Sequence, residues 1–268
     1  MVNRVEKIGR FTCSILVTIV ALVISQIVTH IVYSLTNVNI TLSGRIASFA
    51  SPILIAPFLS WWFLGLLLRI SKLEKEMRFL ATYDPLTGVY NRNSFLSICT
   101  SILNLLKREK SPLTLLYIDL DFFKSINDTF GHDAGDYVLR RIGEYLRNSI
   151  RESDIVGRVG GEEFVIALPK TDIKNGMAIA EKIRKGITSL EMICNDSIIE
   201  ITVSIGISSN LYQEDFGIAK LLKMADIALY HVKNNGRNKI YVNKDCIKEE
   251  ANTKILDFNS LECDSVNN

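Results

Sequence analysis

Two long apolar runs near the start of the sequence limit the possible folds more than any other feature. Residues 11–35 contain Gln26, His30 and several hydroxyl groups but no charge, and residues 46–68 carry no charge at all. About 20 apolar residues in a helix span the ~30 Å hydrocarbon layer of a bilayer. A helix also satisfies its own backbone hydrogen bonds, as lipid requires. We therefore expect residues 11–68 to form a transmembrane hairpin of two helices.

Two alternatives remain open for these runs. A buried helical hairpin in a soluble core is one, although ordinary globular helices seldom carry uncharged stretches of this length. A signal peptide is the other, because basic residues precede the first run, but no clear small-residue cleavage site follows it. Since a second apolar run follows, the chain would be anchored under the signal-peptide interpretation as well.

The charges that flank the two runs predict their orientation. Only Arg45 lies between them, while basic residues cluster before the first run and after the second: Arg4, Lys7, Arg10, Arg69, Lys72, Lys75 and Arg78. Positive residues stay on the cytoplasmic side, so we expect a multi-pass protein with both termini in the cytoplasm, including the short N-terminal segment 1–10. The connecting residues 36–45 are too few to fold into an external sensor domain.

Overall charge and cysteine content exclude several classes of protein. With 31 basic and 29 acidic side chains and a net charge of +2, the chain has no strong positive field, so we expect no nucleic-acid partner. The 5 cysteines are scattered without a CxxC pair, which disfavours a zinc site or a disulfide framework.

A short apolar repeat follows the second run, within a predicted helical linker at residues 69–83. Its members have spacings of three, four and three: Ile70, Leu73, Met77 and Leu80. The repeat is typical of a coiled-coil seam that joins two copies of the chain, or of an amphipathic helix lying on its own domain. Asp84 and Pro85 should end this helix, and we expect Pro52 and Pro57 to mark bent or late-starting first turns of the second span.

Residues 84–243 alternate between helical and strand patterns and should form one soluble α+β domain. Asn91 is expected to cap the first helix. The predicted helices cover residues 91–107, 123–130, 133–149, 173–190 and 218–233, and the predicted strands cover residues 113–118, 155–159, 163–168, 198–207 and 239–242. Residues 244–268 are polar and are expected to be a disordered tail.

Acidic residues occur at two separate places in this domain. Asp119 and Asp121 stand at the end of the first predicted core strand, where residues two apart face the same side. A second pair, Glu162 and Glu163, follows two glycines that we expect to supply the positive φ angles of a tight hairpin. Clustered carboxylates repel one another unless a cation lies between them. Oxygen ligands of this kind suit Mg²⁺ bound together with substrate phosphates.

Residues 84–242 resemble the GGDEF-domain diguanylate cyclases through several motifs in a fixed order. These motifs are DPLTG at 84–88, Asn91-Arg92, DLDFFKSIND at 119–128, GHDAGD at 131–136, the signature GGEEF at 160–164, VSIGI at 203–207, and ADIALY at 225–230 followed by Lys233, Gly236, Arg237 and Asn238. The third signature residue, commonly Asp in the family, is Glu162 here. The substitution lengthens the side chain by one methylene and keeps the charge.

The resemblance implies a ferredoxin-like palm domain, similar to those of nucleotidyl cyclases, that joins two GTP molecules into cyclic di-GMP and releases two pyrophosphates. It implies that Asp119, the Leu120 carbonyl and Glu162 hold Mg²⁺, with two ions per active site and Mn²⁺ as a possible substitute. Glu162 would assist deprotonation of the 3′-hydroxyl, with Glu163 as a second candidate. Lys124 would stabilise phosphate charge.

The same resemblance assigns substrate-binding residues and a partner. Lys233 and Arg237, taken as one helical turn apart, would clamp the terminal phosphates. Asn127 and Asp136, with His132 beside them, would bind the guanine edge. Because each active site holds one GTP, two domains must meet, so a homodimer at the bacterial cytoplasmic membrane is expected.

Upstream of the signature, Arg151 and Asp154 form an RxxD pattern at the position of the family's inhibitory site for cyclic di-GMP. Arginine grips phosphate and stacks on guanine, and aspartate accepts hydrogen bonds from the base. Product inhibition is therefore expected.

Simpler structural roles compete with several of these assignments. Asp121 and Asp128 would cap the helices that follow them, His132 would pack at a helix start, and Lys233 and Arg237 would complement a helix dipole. At the level of the whole protein, the alternatives are a non-catalytic membrane receptor for cyclic di-GMP or GTP and a cyclase that makes another cyclic dinucleotide.

Overall fold

The computed structural model describes residues 2–36, 41–194, 197–210 and 217–246. The chain divides into two compact units, Met1–Arg78 and Phe79–Asn268. The two units are built on different principles.

Long helices with exposed apolar surfaces make up the first unit. They are α1 (Val2–Thr36) and α2 (Leu42–Thr82), whose last four residues belong to the second unit. Both are long and apolar enough to cross a membrane. Leu54 and Phe58 are 74% and 73% exposed, so these side chains face no protein core. The predicted late start of the second helix is wrong, because Pro52 and Pro57 lie well inside α2.

Polar side chains connect the two helices within this unit. The Ser14 and Ser60 hydroxyls are 2.8 Å apart, and the Gln26 side-chain amide donates to the Ser48 carbonyl at 3.2 Å. Hydrogen bonds between helices are a common means of association where no apolar core drives packing.

A mixed six-stranded sheet with helices forms the second unit, and the predicted α+β palm architecture is confirmed. Its strands lie in the order β1-β3-β4-β2-β7-β8, with a separate hairpin of β5 and β6. The strands are β1 (Tyr90–Asn91), β2 (Leu113–Leu120), β3 (Ile155–Arg158), β4 (Glu163–Pro169), β5 (Ile193–Cys194), β6 (Ser197–Ile198), β7 (Val203–Ser209) and β8 (Ile240–Val242). The helices are α3 (Arg92–Glu109), α4 (Phe123–Phe130), α5 (His132–Ser149), α6 (Ile173–Thr188) and α7 (Ile218–Asn234).

All five predicted helices of this domain are present within a few residues of their expected bounds. The Asn91 side chain accepts a hydrogen bond from the Ser94 amide, which confirms it as the cap of α3. The predicted strand 198–207 is wrong in its first half. Ile198 pairs with Ile193 in the small β5–β6 hairpin, and the main ladder starts only at Val203.

The C-terminal boundary also differs from the prediction. Lys244–Cys246, expected to begin a disordered tail, form a short 3₁₀ helix. The rest of the predicted tail lies outside the described residues.

Two features of the core hold the site elements in place. Strand β2 lies between β4 and β7, and its side chains from Leu113 to Leu120 are buried except for Tyr117, which is partly buried. Complete burial of each leucine contributes about 1.5–3 kcal/mol. Helix α7 lies against β7, where a Cβ at Gly206 would overlap the Ala225 carbonyl and the Leu229 amide of the helix. The missing side chain therefore allows α7 to pack directly on the sheet.

Candidate active site

Acidic residues from two stretches of the chain meet at one edge of the central sheet. The antiparallel register of β2 and β4 places Asp119 opposite Glu163. The Leu120 amide donates to the Glu162 carbonyl at 3.4 Å, so the hairpin tip follows the end of β2. The structure thus brings together the predicted metal-binding positions Asp119, Leu120 and Glu162, with Glu163 beside them.

The hairpin that carries the signature has a different backbone from the one predicted. Neither Gly160 nor Gly161 adopts the left-handed φ that we expected, so that prediction is wrong. Instead, a Cβ at Gly160 would overlap the Glu163 carboxylate. A larger residue at position 160 would therefore displace the Glu163 carboxylate from its position in the hairpin.

Arg158, which the sequence patterns did not single out, holds the hairpin tip. Its guanidinium donates to the Gly161 carbonyl at 3.1 and 2.6 Å and to the Asp84 carboxylate at 3.0 Å. Asp84 also accepts hydrogen bonds from the Thr87 amide and hydroxyl. One arginine therefore ties the signature turn to residues 84–88, another of the matched motifs. Its position two residues before Gly160 was the only sequence signal for this role.

Burial changes the acidity of this region. Burial raises the pKa of Asp119 although Lys233 opposes the change, and burial together with the Asp119 charge raises the pKa values of Glu162 and Glu163. Burial and the nearby Glu163 charge raise the pKa of Tyr117 to about 12. These carboxyl groups hold protons more tightly than exposed acids, because the site stabilises negative charge poorly without a cation.

Basic residues lie beside the acids, but not on one helical face. Lys233, in the last turn of α7, forms an ion pair with Asp119 at 2.8 Å. Arg237 lies beyond the end of α7 with a left-handed φ of 57°, so the predicted one-turn register with Lys233 is wrong. Its guanidinium is 4.6 Å from the centre of the Phe122 ring. Backbone turns after the helix, rather than helical periodicity, bring Arg237 to the site.

Asp121 has a structural role and does not cap α4. Its carboxylate accepts hydrogen bonds from the Thr202 hydroxyl at 2.7 Å, the Ser204 hydroxyl at 2.6 Å and the Asn238 amide at 3.1 Å. The cap position of α4 is occupied by Phe122, without a side-chain hydrogen bond. Asp121 thereby fixes the loop that presents Arg237. Asp128 lies inside α4 and is exposed, so its predicted capping role is also wrong.

The predicted guanine-binding residues lie on the two helices that follow β2. Asn127 is on α4, and its side-chain oxygen occupies the space that a Cβ at Gly135 would need. Asp136 is exposed on α5, next to Gly135. His132 begins α5 and lines a cavity of about 320 Å³ together with Phe130, Gly131, Asp133, Ala134 and Cys194. Lys124 is exposed in the first turn of α4.

The donor set at the acidic edge fits a hard divalent cation. Among the described residues, no three His, Cys, Asp or Glu side chains converge as a ready metal cluster. Two carboxylates and a carbonyl are nevertheless the oxygen donors that suit Mg²⁺, which usually keeps waters and takes its remaining ligands from substrate phosphates. A complete coordination shell would therefore require the nucleotide.

The Arg151–Asp154 turn forms a separate polar site. Asp154 accepts a hydrogen bond from the Arg151 amide at 3.0 Å, and the Asp154 amide donates to the Arg151 carbonyl at 3.0 Å. Both residues line a cavity of about 240 Å³ with Tyr83, Tyr90 and Arg147. The structure brings the predicted product-site residues to one cavity, with the Asp154 carboxylate engaged in the turn.

Comparison with known proteins identifies the family of this domain. The model of the diguanylate cyclase GGDEF domain matches residues 81–239, more than half of the chain. The chain belongs to the GGDEF family. Outside the GGDEF domain, the match does not extend to α1 or to most of α2.

Curated relatives share the GGDEF domain over part of their length. Diguanylate cyclase A of Treponema denticola is 38% identical over 175 residues, which cover 64% of this chain and 47% of the relative. Response regulator PleD of Caulobacter vibrioides is 39% identical over 163 residues, which cover 60% of this chain and 36% of the relative. The chain thus spans less than half the length of these relatives.

Solved structures agree with the palm fold of the GGDEF domain. An active GGEEF domain of a diguanylate cyclase from Vibrio cholerae has 36% identity and a TM-score of 0.54, covering 57% of this chain and 96% of that one. The coiled coil and GGDEF domain of DgcB from Caulobacter crescentus, in complex with c-di-GMP, has 26% identity and a TM-score of 0.61, covering 66% of this chain and 94% of that one. The first of these relatives carries the same GGEEF form of the signature.

Proposed function

We propose that this protein is a membrane-bound diguanylate cyclase that condenses two GTP molecules into cyclic di-GMP and two pyrophosphates. The observation that carries the proposal is the meeting of Asp119 with Glu162 and Glu163 at one sheet edge, beside the cations Lys233 and Arg237. A related active GGEEF domain gives independent support.

Asp119, the Leu120 carbonyl and Glu162 would hold the metal, with two Mg²⁺ ions per active site and Mn²⁺ as a substitute. When bound, the metal would polarise the α-phosphate and neutralise charge on the departing pyrophosphate. The raised pKa values of Asp119 and Glu162 support this assignment, because carboxylates that lack a sufficient counter-charge favour cation binding.

In the reaction, the 3′-hydroxyl oxygen of one GTP forms a bond to the α-phosphorus of the other, and the bond to pyrophosphate breaks. Glu162 would accept the hydroxyl proton, with Glu163 as the second candidate. Lys124, Lys233 and Arg237 would bind phosphate oxygens. The same step with the two nucleotides in exchanged roles closes the ring.

Guanine would be bound by Asn127 and Asp136, with His132 nearby. The side-chain amide and carboxylate offer both acceptors and a donor, which match the N1, N2 and O6 edge of guanine. Adenine presents a different pattern, so a cyclase for another dinucleotide would leave these polar groups unpaired.

Synthesis requires a homodimer, because each domain would hold one GTP. The domain arrangement that we propose is a cytoplasmic segment 1–10, a membrane hairpin at residues 11–68, a helical linker at 69–83, the catalytic domain at 84–243 and a tail at 244–268. Exposed Ile70, Leu73, Met77 and Leu80 on α2 support a seam between two linkers. Both termini would lie in the cytoplasm of a bacterial cell, and anchoring would raise the local concentration of partners.

Product inhibition is proposed at Arg151 and Asp154. The exposed Arg151 side chain and the adjoining cavity of about 240 Å³ support binding of a phosphate and base at this turn.

The decisive experiment compares the full chain in detergent micelles with Glu162→Gln. Incubation with GTP and Mg²⁺, followed by chromatography of the nucleotides, should give cyclic di-GMP with the wild type and a loss of roughly a thousandfold in rate with Glu162→Gln, since the metal and base roles are each worth several kcal/mol. Glu191→Gln, the same change at an exposed residue, is the matched control and should keep full activity. A wild-type protein that binds cyclic di-GMP or GTP but forms no product would instead be the non-catalytic receptor.

A further inference from the structure

The ion pair between Lys233 and Asp119 lies at the position where the metal should bind. Lys233 Nζ is 2.8 Å from Asp119 Oδ2, and the side chains are 33% and 6% exposed. Among the described residues, this is the only ion pair that Asp119 makes. The ammonium thus supplies the positive charge that a buried carboxylate needs when no metal is bound.

The same ammonium also moderates the neighbouring acids. The Lys233 charge lowers the pKa values of Glu162 and Glu163, against the effects of burial and of the Asp119 charge that raise them. One lysine charge therefore acts on all three carboxylates, and it contacts Asp119 directly.

A metal bound to Asp119 Oδ2 is incompatible with this lysine position, because Nζ already contacts that oxygen. Mg²⁺ binds a carboxylate oxygen at about 2.0–2.1 Å, so an ion on Oδ2 would approach Nζ closely enough for strong like-charge repulsion. The ammonium must leave Oδ2 before or as a metal binds that oxygen.

The fold allows this movement without a change in the backbone. Helix α7 is held against β7, where a Cβ at Gly206 would overlap backbone atoms of Ala225 and Leu229. The lysine side chain is a point charge on a flexible four-carbon stem. It can therefore swing away from Asp119 while the helix stays in place, and a nucleotide phosphate offers it a new partner.

We propose that Lys233 acts as an exchangeable internal cation. It neutralises Asp119 in the metal-free protein, opposes binding of a free divalent ion, and yields its place when the phosphates of GTP bind the ammonium. Metal and nucleotide therefore enter the site together. The proposal rests on the cyclase function proposed above, through the assignment of Asp119 as a metal ligand.

The test is a titration with Mn²⁺ of the full chain, in detergent micelles and without nucleotide. Electron paramagnetic resonance measures the bound and free Mn²⁺ at each step. Lys233→Met should bind Mn²⁺ about tenfold more tightly than the wild type, because the competing charge at Asp119 is gone. Arg237→Met is the matched control. It also removes one positive charge near Asp119, but from a side chain that lies over Phe122 and makes no ion pair with Asp119, and its effect should stay within about threefold.

Thermal unfolding gives a second readout that does not depend on catalysis. In EDTA, Lys233→Met should unfold at a lower temperature than the wild type, and saturating Mn²⁺ should restore most of the difference. Lys233→Gln, which keeps a hydrogen-bond donor, serves the same comparison if the methionine variant does not fold.

The possible outcomes distinguish failure of the lysine exchange from failure of the proposed cyclase function. Equal Mn²⁺ affinities for Lys233→Met and Arg237→Met, or an affinity of Lys233→Met equal to that of the wild type, would overturn the exchange and leave the proposed cyclase function of the wild type unaffected. If the wild type bound no Mn²⁺ even with 3′-deoxy-GTP, which cannot form the phosphodiester, the metal assignment itself would fail.

Discussion

The acidic edge of the sheet and the Arg151–Asp154 turn are both charged motifs, but their carboxylates differ in burial and in the partners that they bind. At the acidic edge, Asp119 is buried and forms an ion pair only with the ammonium of Lys233 among the described residues. At the turn, the Asp154 carboxylate accepts hydrogen bonds from the Arg151 amide and the Ser153 hydroxyl. The Asp154 carboxylate is therefore already engaged in hydrogen bonds within the turn.

This difference indicates where ligand binding should change the protein most. A cation at the acidic edge would relieve an unfavourable concentration of negative charge, so much of its binding energy comes from the buried Asp119 and the half-buried Glu162 and Glu163. A ligand at the turn gains mainly from the exposed arginine, in water, where charge pairs are weak. The two sites should therefore differ in the size of mutational effects.

The largest effect should come from Asp119→Asn. The amide removes one proposed metal ligand and the partner of Lys233, and cyclic di-GMP synthesis should fall by roughly a thousandfold, since a metal ion contributes several kcal/mol to transition-state stabilisation. Initial rates at saturating GTP and Mg²⁺ measure this loss. Asp128→Asn, the same change at an exposed position of α4, should leave the rate within about twofold. Normal activity of Asp119→Asn would remove the distinction between the two sites.

A second, smaller effect should follow from Arg158→Met. The change leaves Asp84 without its ion pair and frees the Gly161 carbonyl, so the free energy of unfolding of the catalytic domain should fall by about 2 kcal/mol. The catalytic rate should fall about 10- to 100-fold through loss of positioning of Glu162.

Two further measurements separate positioning from simple loss of stability. The double variant Asp84→Asn/Arg158→Met should recover part of the stability, because no unpaired carboxylate is left, but not the catalytic rate. Recovery of both together would mean that Arg158 acts on stability alone.

Arg151→Ala should affect regulation and not chemistry. The concentration of cyclic di-GMP that halves the rate should rise about tenfold or more, since arginine–phosphate pairing and stacking on guanine are lost. The rate without product should stay unchanged. Steady-state assays with added cyclic di-GMP measure this, with Arg140→Ala, the same change at an exposed arginine outside the cavity, as the control. Unchanged inhibition in Arg151→Ala would exclude a product site at this turn.

The smallest effect should be a shift of the acid limb of the pH profile. Because burial raises the pKa of Glu162 above its ordinary value of 4.5 and that of Asp119 above its ordinary value of 3.8, protons compete with the metal at Glu162 at a pH above 4.5. The Mg²⁺ concentration needed for half-maximal activity should therefore rise as the pH falls towards that range. An acid limb at or below 4.5 in saturating Mg²⁺ would mean that the metal, once bound, overrides burial.

The interaction of Asp84 with Arg158, which supports the signature hairpin, should persist through the same pH range. Burial alone would raise the pKa of Asp84, but the hydrogen bonds from Thr87 and Arg158 lower it below its ordinary value of 3.8. The stability that Asp84 contributes is present above that value and is lost only as the pH falls through the lowered pKa. Loss of activity at mildly acidic pH should thus occur without loss of the folded domain, as circular dichroism would verify.

Sequence patterns determined the elements and the family, because hydrophobic periodicity and motif order are local properties. The apolar runs before residue 69, the five helices of the GGDEF domain and the cap at Asn91 follow from local residue patterns alone. The signature motifs likewise indicated which acids should meet, since their order along the chain matches a known fold.

Only the tertiary structure decided what each charged group contacts. Asp119 and Asp121 are two residues apart, yet one pairs with Lys233 and the other joins Thr202, Ser204 and the Asn238 amide. The role of Arg158 and the position of Arg237 beyond α7 likewise depend on residues distant in sequence. Spacing predicts which way a side chain points along its own strand or helix, but its partner comes from another segment, and packing of the whole domain brings that segment into place.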